Sequence, residues 1–281
     1  MSNDRSGLLI TLPARPENVA VVRHAVAGLA QRLGMAEPGI GDLKTVVTEA
    51  CMNVVVHAYP GEEPGPLQVE AVPDDGGLTV SVRDFGGGIR PNPAADNGDE
   101  RQSLKIGLTL IAALSGSFAI SGGIGHGTEV TMRLALDSAE NDEDAPAVTR
   151  EIPETPTEAA ELSIVGQELI APILERVIGA LAARHQISID RLNDALLIAD
   201  AVSDQAVQVF EDGRARFAVA DGDGGLDLRV GPLPAGAGEK LRQSLKLPDG
   251  GGSLETLADE VVVEASDAGE YLTVRFHSLV A

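Results

Sequence analysis

An acidic, proline-containing stretch divides this chain and limits what it can fold into. Residues 137–160 read DSAENDEDAPAVTREIPETPTEAA and contain almost no large apolar side chain. Such a segment cannot bury enough apolar surface to offset the entropy lost on ordering, so we interpret it as a flexible linker. It separates residues 1–136 from residues 161–281, and a chain of 281 residues is long enough for two domains of ordinary size.

The N-terminal unit shows an ordered series of strand and helix patterns. Apolar spacings of three and four predict helices, and short apolar or alternating runs predict strands. The predicted strands are residues 8–12, 67–72, 78–83, 117–122 and 128–136, and the predicted helices are residues 16–33, 43–58 and 106–114. Asp74-Asp75-Gly76-Gly77 is a strong hairpin signal. This order predicts an α+β fold, a two-layer α/β sandwich with helices on one face of a mainly antiparallel sheet.

The C-terminal unit repeats the same order of patterns. The matched segments are residues 171–185 with 17–33, residues 189–209 with 40–59, residues 223–226 with 75–78, and residues 273–276 with 131–134. The identities are few, and chance agreement is the alternative. Agreement in element order, in the hairpin turn and in the final strand favours a duplicated domain.

Composition and charge exclude several classes of protein. The net charge of −22 would repel a phosphate backbone, so we expect no direct nucleic-acid partner. No apolar run reaches the roughly 18 residues that a membrane-spanning helix needs, and residues 1–5 are polar. We therefore expect a cytoplasmic protein without membrane association. The single cysteine, Cys51, allows no intramolecular disulfide, and its apolar helical neighbours predict a buried structural thiol.

The first segment that suggests chemistry lies on the second predicted helix. Glu49 and Asn53 are four residues apart and therefore share a helix face. Their neighbours are apolar, so an acid and an amide at these positions need partners. A pocket that holds a metal and a nucleotide would supply them, whereas a solvated polar face is the ordinary structural alternative.

Two glycine-containing segments also suggest a ligand site. Asp84 directly follows a strand and opens a DFGGG turn, where a carboxylate can accept a hydrogen bond from an amine such as that of adenine. Lys105 and Gly107 open a helix, and Gly127 with Thr128 precedes the last strand. A helix N-terminus presents unpaired N–H groups to phosphate. Taken singly, the DFGGG segment is better explained as a plain tight turn, and the alternative for the other segment is an ordinary helix start with Gly127 as a turn residue.

In this order the segments resemble the four ATP-binding boxes of the GHKL (HATPase_c) superfamily, which includes gyrase-type ATPases and histidine kinases. Within that superfamily, residues 43–59, LKTVVTEACMNVVVHAY, closely resemble the branch of anti-sigma-factor serine/threonine kinases. The resemblance covers residues 8–136. It implies the GHKL type of sandwich and the use of ATP and Mg²⁺.

The resemblance implies a role for each matching residue. Glu49 would be the general base, Asn53 would ligate Mg²⁺, and Asp84 would recognise the adenine amine. The other residues implied in nucleotide binding are His57, Gly86, Gly88, Lys105, Gly107, Gly127 and Thr128. His57 would either approach the phosphates or pack at the helix end.

One position departs from the family pattern. The family usually has a glycine two residues before the one that matches Gly107, and here that residue is Lys105. Its side chain would either contact phosphate or obstruct the lid, residues 92–103, which is short. Nucleotide binding is therefore better supported by the sequence than phosphoryl transfer.

The C-terminal unit has lost the matching groups. In our alignment of the repeats, the replacements are Ile198 for Glu49, Val202 for Asn53, Pro232 for Asp84 and Glu270 for Thr128. An apolar side chain cannot hold Mg²⁺, and proline offers no side-chain acceptor to adenine. We therefore predict that residues 161–281 are a degenerate copy of the first domain.

The resemblance implies a regulatory serine/threonine kinase. Such a kinase would phosphorylate an anti-anti-sigma, STAS-type partner and, in its other state, sequester a sigma factor. Kinases of this branch pair, so the chain would form a homodimer or an intrachain pseudo-dimer. The alternative is a nucleotide-gated adaptor that binds a protein without transferring phosphate, which Lys105 and the short lid motivate.

Overall fold

The chain divides into two compact units, Gly7–Thr157 and Glu158–Ala281. The computed structural model describes residues 7–61, 63–74, 76–87, 107–122, 126–136, 158–184, 187–210, 212–222, 225–245 and 254–277. Within these ranges, the helices are all too short or too polar to cross a membrane.

The N-terminal unit is a sandwich of helices and one sheet. Its elements are β1 (Gly7–Pro13), α1 (Pro16–Arg32), α2 (Glu37–His57), β2 (Pro66–Asp74), β3 (Gly77–Asp84), α3 (described over residues 107–114), β4 (Ser117–Gly122) and β5 (Thr128–Ala135). The strands are ordered β4-β5-β3-β2-β1, and the pairs between them are antiparallel. Helices α1 and α2 pack on each other and on this sheet. The predicted α+β sandwich is confirmed.

The alternation of side chains along β3 decides to which face of the sheet its last residue, Asp84, points. Leu78, Val80 and Val82 point to one face of the sheet and are buried. Asp84 is the next residue in this period of two, and it lies opposite Leu67 of β2. Its side chain therefore shares the apolar face and is only 3% exposed. The alternation along β3 therefore places the Asp84 carboxylate in the core.

Helix α2 begins at Glu37, so the predicted start at residue 43 was wrong. Pro38 lies in the first two helical positions, where its missing N–H group leaves no bond unmade. Ile40 is buried and extends the apolar face toward the N-terminus. Gly41, which we had placed before the helix, lies inside it with open space around its Cα. The buried face outweighed the low helix propensity of glycine.

Cys51 lies on the buried face of α2. The side chain is fully buried, and desolvation raises the pKa of its thiol far above the ordinary value. A thiol without thiolate character is a poor nucleophile and a poor metal ligand. The prediction of a buried structural cysteine is confirmed.

The C-terminal unit has the same topology as the N-terminal unit. Its elements are β6 (Ala160–Val165), α4 (Gln167–Ala182), α5 (Ile189–Val209), β7 (Arg214–Gly222), β8 (Gly225–Leu233), α6 (Ala237–Ser244), α7 (Leu254–Leu257), β9 (Glu260–Ser266) and β10 (Gly269–His277). The strands are ordered β6-β7-β8-β10-β9, which is the same first-second-third-fifth-fourth order. Ala160 is buried and begins β6, so our assignment of this residue to the linker was wrong.

The burial patterns correct our alignment of the repeats. Helices α2 and α5 each contain 21 residues, and most of their buried positions coincide when Glu37 is matched with Ile189. Our alignment had matched Ile40 with Ile189, but Ile40 is 4% exposed and Ile189 is 76% exposed. The two isoleucines are therefore not equivalent, and the alignment of this helix was three residues out of register.

The corrected register changes two of the predicted replacements. Ala201 and Gln205 occupy the positions of Glu49 and Asn53. Ile198 and Val202, which we had assigned there, are fully buried. The strand pairs that start at Gly77–Ala135 and at Gly225–His277 are equivalent as far as the Val82–Val130 and Val230–Leu272 pairs. A register shift follows in the C-terminal unit and places Glu270 opposite Leu233. The assignments of Pro232 for Asp84 and Glu270 for Thr128 therefore stay predictions.

Candidate nucleotide site

The Asp84 carboxylate is buried but well supplied with hydrogen-bond donors. The Gly86 N–H group donates to Asp84 Oδ1 at 2.9 Å, and Thr128 donates from both its backbone and its hydroxyl group. Burial raises the pKa of Asp84, while these hydrogen bonds and the charge of Arg83 oppose that rise. A carboxylate has about four acceptor positions. Three donors among the described residues leave one position for an amine.

Two glycines allow the backbone segments around Asp84 to approach one another. A Cβ atom on Gly127 would lie 2.1 Å from the backbone oxygen of Asp84, and Gly127 has a φ of 72°. A Cβ atom on Gly86 would lie 2.1 Å from the backbone oxygen of Ala58. Any side chain at these positions would clash with backbone. The turn after β3 therefore lies close to the end of α2, and the residue before β5 lies close to the end of β3.

Glu49, Asn53 and Gly107 form a second cluster. Helix α2 carries Glu49 and Asn53 one turn apart, and the first described residue of α3 faces them. A Cβ atom on Gly107 would lie 2.9 Å from Glu49 Oε2 and 3.7 Å from Asn53 Oδ1. Asn53 Nδ2 is buried and finds no hydrogen-bond partner among the residues the structure describes. The structure therefore brings Gly107 to the pair of Glu49 and Asn53, which the sequence predicted in a separate segment.

The remaining predicted residues divide into exposed and undescribed ones. His57 is the last residue of α2 and is exposed, so the prediction that it packs at the helix end was wrong. Its approach to the phosphates stays a prediction. Gly88, Lys105 and the predicted lid, residues 92–103, lie outside the described residues.

Sequence reasoning missed Tyr59. This residue ends the segment that carried the family resemblance, but we assigned it no role. Its hydroxyl group accepts a hydrogen bond from Phe85 N at 2.9 Å and donates one to the Pro66 carbonyl at 2.7 Å. The signal in the sequence was the position of this tyrosine beside a turn-forming Pro-Gly pair. The hydrogen bonds of its hydroxyl group join segments that are distant in the chain, so a local sequence pattern does not reveal them.

The residues of the second cluster fit a nucleotide bound with Mg²⁺. The Asn53 amide supplies the oxygen type of ligand that Mg²⁺ takes, beside phosphates and water. A buried amide N–H group without a partner costs free energy, which a ligand with acceptor oxygens would recover. Gly107 leaves open the space that a side chain would fill beside these groups.

Comparison with known proteins agrees with this arrangement. Residues 12–134 match the family described as histidine kinase-like ATPase domain. The serine-protein kinase RsbW of Bacillus pumilus (strain SAFR-032) is 30% identical over 142 residues, which are 47% of this chain and 88% of the relative. The chain belongs to the GHKL superfamily, in the branch of anti-sigma-factor kinases. Membership of this branch indicates ATP-dependent, kinase-type activity at the level of the family.

Two further similarities show how far the likeness extends. The serine-protein kinase RsbW of Listeria monocytogenes serovar 1/2a is 29% identical over 158 residues, which are 53% of this chain and 99% of the relative. The crystal structure of the RsbU and RsbW domains of Rv1364c from Mycobacterium tuberculosis is 10% identical with a TM-score of 0.30, and the match covers 85% of this chain and 80% of that one. A structural similarity this low supports no argument about the present chain.

Gly107→Ala is expected to reduce phosphoryl transfer by about tenfold or more while the domain stays folded. The added Cβ atom would meet Glu49 Oε2 at 2.9 Å and displace the carboxylate, and a misplacement of about 1 Å can cost roughly 10²-fold in rate. The measurement is the transfer rate at saturating ATP. Gly179→Ala on α4 is the matched control, because a Cβ atom there meets nothing. We expect it to keep the rate and to gain about 0.5–1 kcal/mol in stability. An unchanged rate in Gly107→Ala would contradict the expected displacement.

Proposed function

We propose that residues 1–136 form an ATP-dependent serine/threonine kinase that phosphorylates an anti-anti-sigma, STAS-type protein. In its other state this domain would sequester a sigma factor. The observation that carries the proposal is the packing of Gly107 against Glu49 and Asn53, in the same unit as the buried carboxylate of Asp84. Two relatives named serine-protein kinase support it.

The two clusters would hold the two ends of ATP. Asp84 would accept a hydrogen bond from the adenine amino group, within a frame made by Gly86, Gly127 and Thr128. Asn53 would hold Mg²⁺, which neutralises negative charge on the phosphates when bound. The roles of His57, Gly88 and Lys105 beside the nucleotide remain part of this proposal.

Glu49 would act on the hydroxyl group of the protein substrate. Its carboxylate takes the hydroxyl proton as the serine or threonine oxygen forms a bond to the γ-phosphorus of ATP. The bond from that phosphorus to the β–γ bridging oxygen breaks, and ADP leaves with the electron pair. The products are a phosphate monoester on the partner and ADP, and Glu49 then releases its proton to water. A positioned general base typically contributes about 10²- to 10⁴-fold in rate.

The experiment that tests this function uses the full chain. It is incubated with labelled ATP, Mg²⁺ and each STAS-type protein of the same organism, and phosphorylated serine or threonine is located by mass spectrometry. We expect stoichiometric labelling of at least one such protein. ATP binding without labelling of any of them would overturn the kinase proposal and support the adaptor alternative.

We also propose that the C-terminal unit, after a linker of residues 137–159, does not bind nucleotide. Ala201 and Gln205 stand where Glu49 and Asn53 stand in the first unit, so the general base is missing. Pro232 stands in the position of Asp84 and provides no side-chain acceptor.

A carboxylate of the C-terminal unit itself occupies the start of α6. Glu270 accepts hydrogen bonds from Gly236 N at 2.8 Å and from Gly238 N at 3.0 Å. These N–H groups belong to the helix N-terminus, where a phosphate would otherwise find donors. A Cβ atom on Gly238 would lie 3.1 Å from Glu270 Oε2, so the glycine permits this approach. An internal anion thus supports the proposal that this unit takes no nucleotide.

A single ATP per chain is the expected binding stoichiometry. Only the N-terminal unit contains both the acid and the buried aspartate, since Ala201 and Pro232 replace them in the other unit, where Gln205 keeps an amide. Titration calorimetry with Mg²⁺ and a non-hydrolysable ATP analogue measures this number. A stoichiometry of two nucleotides per chain, with only one of the two affinities weakened in Asp84→Asn, would show that the C-terminal unit does bind nucleotide.

A further inference from the structure

The hydroxyl group of Tyr59 joins three segments of the N-terminal unit. Tyr59 follows α2, and its hydroxyl accepts from Phe85 N at 2.9 Å, directly after the end of β3. The same hydroxyl donates to the carbonyl oxygen of Pro66, the first residue of β2, at 2.7 Å. One side chain therefore fixes the end of α2, the start of β2 and the turn that follows Asp84.

The ring that carries this hydroxyl has little freedom to move. A Cβ atom on Gly65 would lie 2.2 Å from the Tyr59 ring, so the chain passes directly over it. Burial and the nearby charge of Asp84 raise the pKa of Tyr59 to about 12, against the effect of the hydrogen bond from Phe85. The phenol is therefore protonated at neutral pH and can serve as donor and acceptor at once.

The peptide unit between Asp84 and Phe85 is fixed from both sides. Its N–H group donates to Tyr59, and its carbonyl oxygen lies where a Cβ atom on Gly127 would approach to 2.1 Å. The next N–H group, that of Gly86, donates to the Asp84 carboxylate at 2.9 Å. The orientation of this peptide unit thus sets where the carboxylate and its donor lie.

We propose that Tyr59 is a positioning residue that aims the Asp84 carboxylate at the adenine amino group. The proposal rests on the proposed function only in that the ligand is an adenine nucleotide. Tyr59 acts through Asp84 and the peptide unit that follows it. Without the phenol hydroxyl, Phe85 N–H loses its acceptor and Pro66 loses its donor. The carboxylate then takes several orientations, and the energy of its bond to the amine falls.

The test compares ATP with purine riboside triphosphate, which lacks the adenine amino group. Dissociation constants for both are measured with Mg²⁺ on the full chain. A hydrogen bond from the amine to a carboxylate is charge-assisted, so we expect the wild type to prefer ATP by about tenfold or more. In Tyr59→Phe this preference is expected to fall below about threefold, while the affinity for purine riboside triphosphate changes by less than about threefold.

The control is Tyr271→Phe, the same change at the second tyrosine of the chain, which lies in β10 with its ring beneath Arg229. It is expected to keep the wild-type preference. Gly65→Ala provides a second variant that retains the phenol but pushes its ring, and we expect the same loss of preference. A Tyr59→Phe protein that binds both ligands more weakly by the same factor would show a merely structural role and overturn the proposal. A wild type that binds neither ligand would overturn the proposed function itself.

Discussion

Glu49→Ala is expected to bind ATP with nearly the wild-type affinity and to transfer phosphate at least about 10²-fold more slowly. Loss of a general base removes an interaction made in the transition state, so the turnover number falls while ground-state binding is kept. Glu49 Oε2 lies 2.9 Å from the position of a Cβ atom on Gly107, so the carboxylate is next to α3. Labelled phosphate on the partner protein, followed over time at saturating ATP, measures the rate.

Two variants separate catalysis from structure in this experiment. Glu37→Ala makes the same change in the first turn of the same helix, where the side chain is exposed, and is expected to transfer phosphate normally. Glu49→Gln keeps the shape and the polarity of the side chain but cannot accept the proton, and it should be as slow as Glu49→Ala. A Glu49→Gln protein with the wild-type rate would remove Glu49 from the role of base.

The sequence predicted Glu49, Asn53 and Gly107 as site residues, but it did not predict the contacts that the structure shows among them or the role of Tyr59. We predicted that Asp84 directly follows a strand, whereas it is the last residue of β3, and the apolar alternation of β3 explains why a carboxylate lies in the core. The contact of Gly107 with Glu49 joins two helices that are distant in the chain, and periodicity within one helix carries no information about it. The bridge from Tyr59 to Phe85 was missed for the same reason.

The repeat shows a different limit of sequence reasoning. With few identities, the alignment of residues 189–209 with 40–59 matched Ile189 with Ile40, although the two isoleucines differ in burial. The hairpin glycines gave the correct strand register, because a two-residue turn fixes which residues lie opposite each other. A helix has no such internal marker, so its register became certain only when the buried face was known.

Asp84→Asn is expected to make the chain more stable at pH 7 and, at the same time, to weaken ATP binding by about tenfold or more. Burial raises the pKa of Asp84 in the folded chain, which means that folding disfavours its charged form. Asparagine has the same shape, and its amide oxygen has two acceptor positions, which Gly86 N and one of the two Thr128 donors can use. The other Thr128 donor loses its acceptor, which offsets part of the gain. Asparagine carries no charge to desolvate, but it offers the adenine amine a weaker acceptor than a carboxylate does.

The pH dependence of both effects follows from the direction of this shift. The pKa of Asp84 in the folded chain lies above its value of about 4 in the unfolded chain. The charge on Asp84 therefore lowers the free energy of unfolding by its full amount at pH values above the folded pKa. This loss of stability disappears as the pH falls toward the pKa of the unfolded chain, since Asp84 is then protonated in the folded chain. The stability gained in Asp84→Asn is therefore expected to be largest near pH 7 and to vanish near pH 4.

Urea unfolding at a series of pH values measures this difference, and the full chain with and without ATP reports both effects in one sample. In the wild type, ATP affinity should fall as the pH decreases through the raised pKa of Asp84, because a protonated carboxyl group is a poorer acceptor. In Asp84→Asn that part of the pH dependence should be absent. An Asp84→Asn protein that is less stable than wild type by the same amount at pH 7 and pH 4 would show that the carboxylate anchors the turn through hydrogen bonds. The buried charge would then serve the fold rather than the nucleotide.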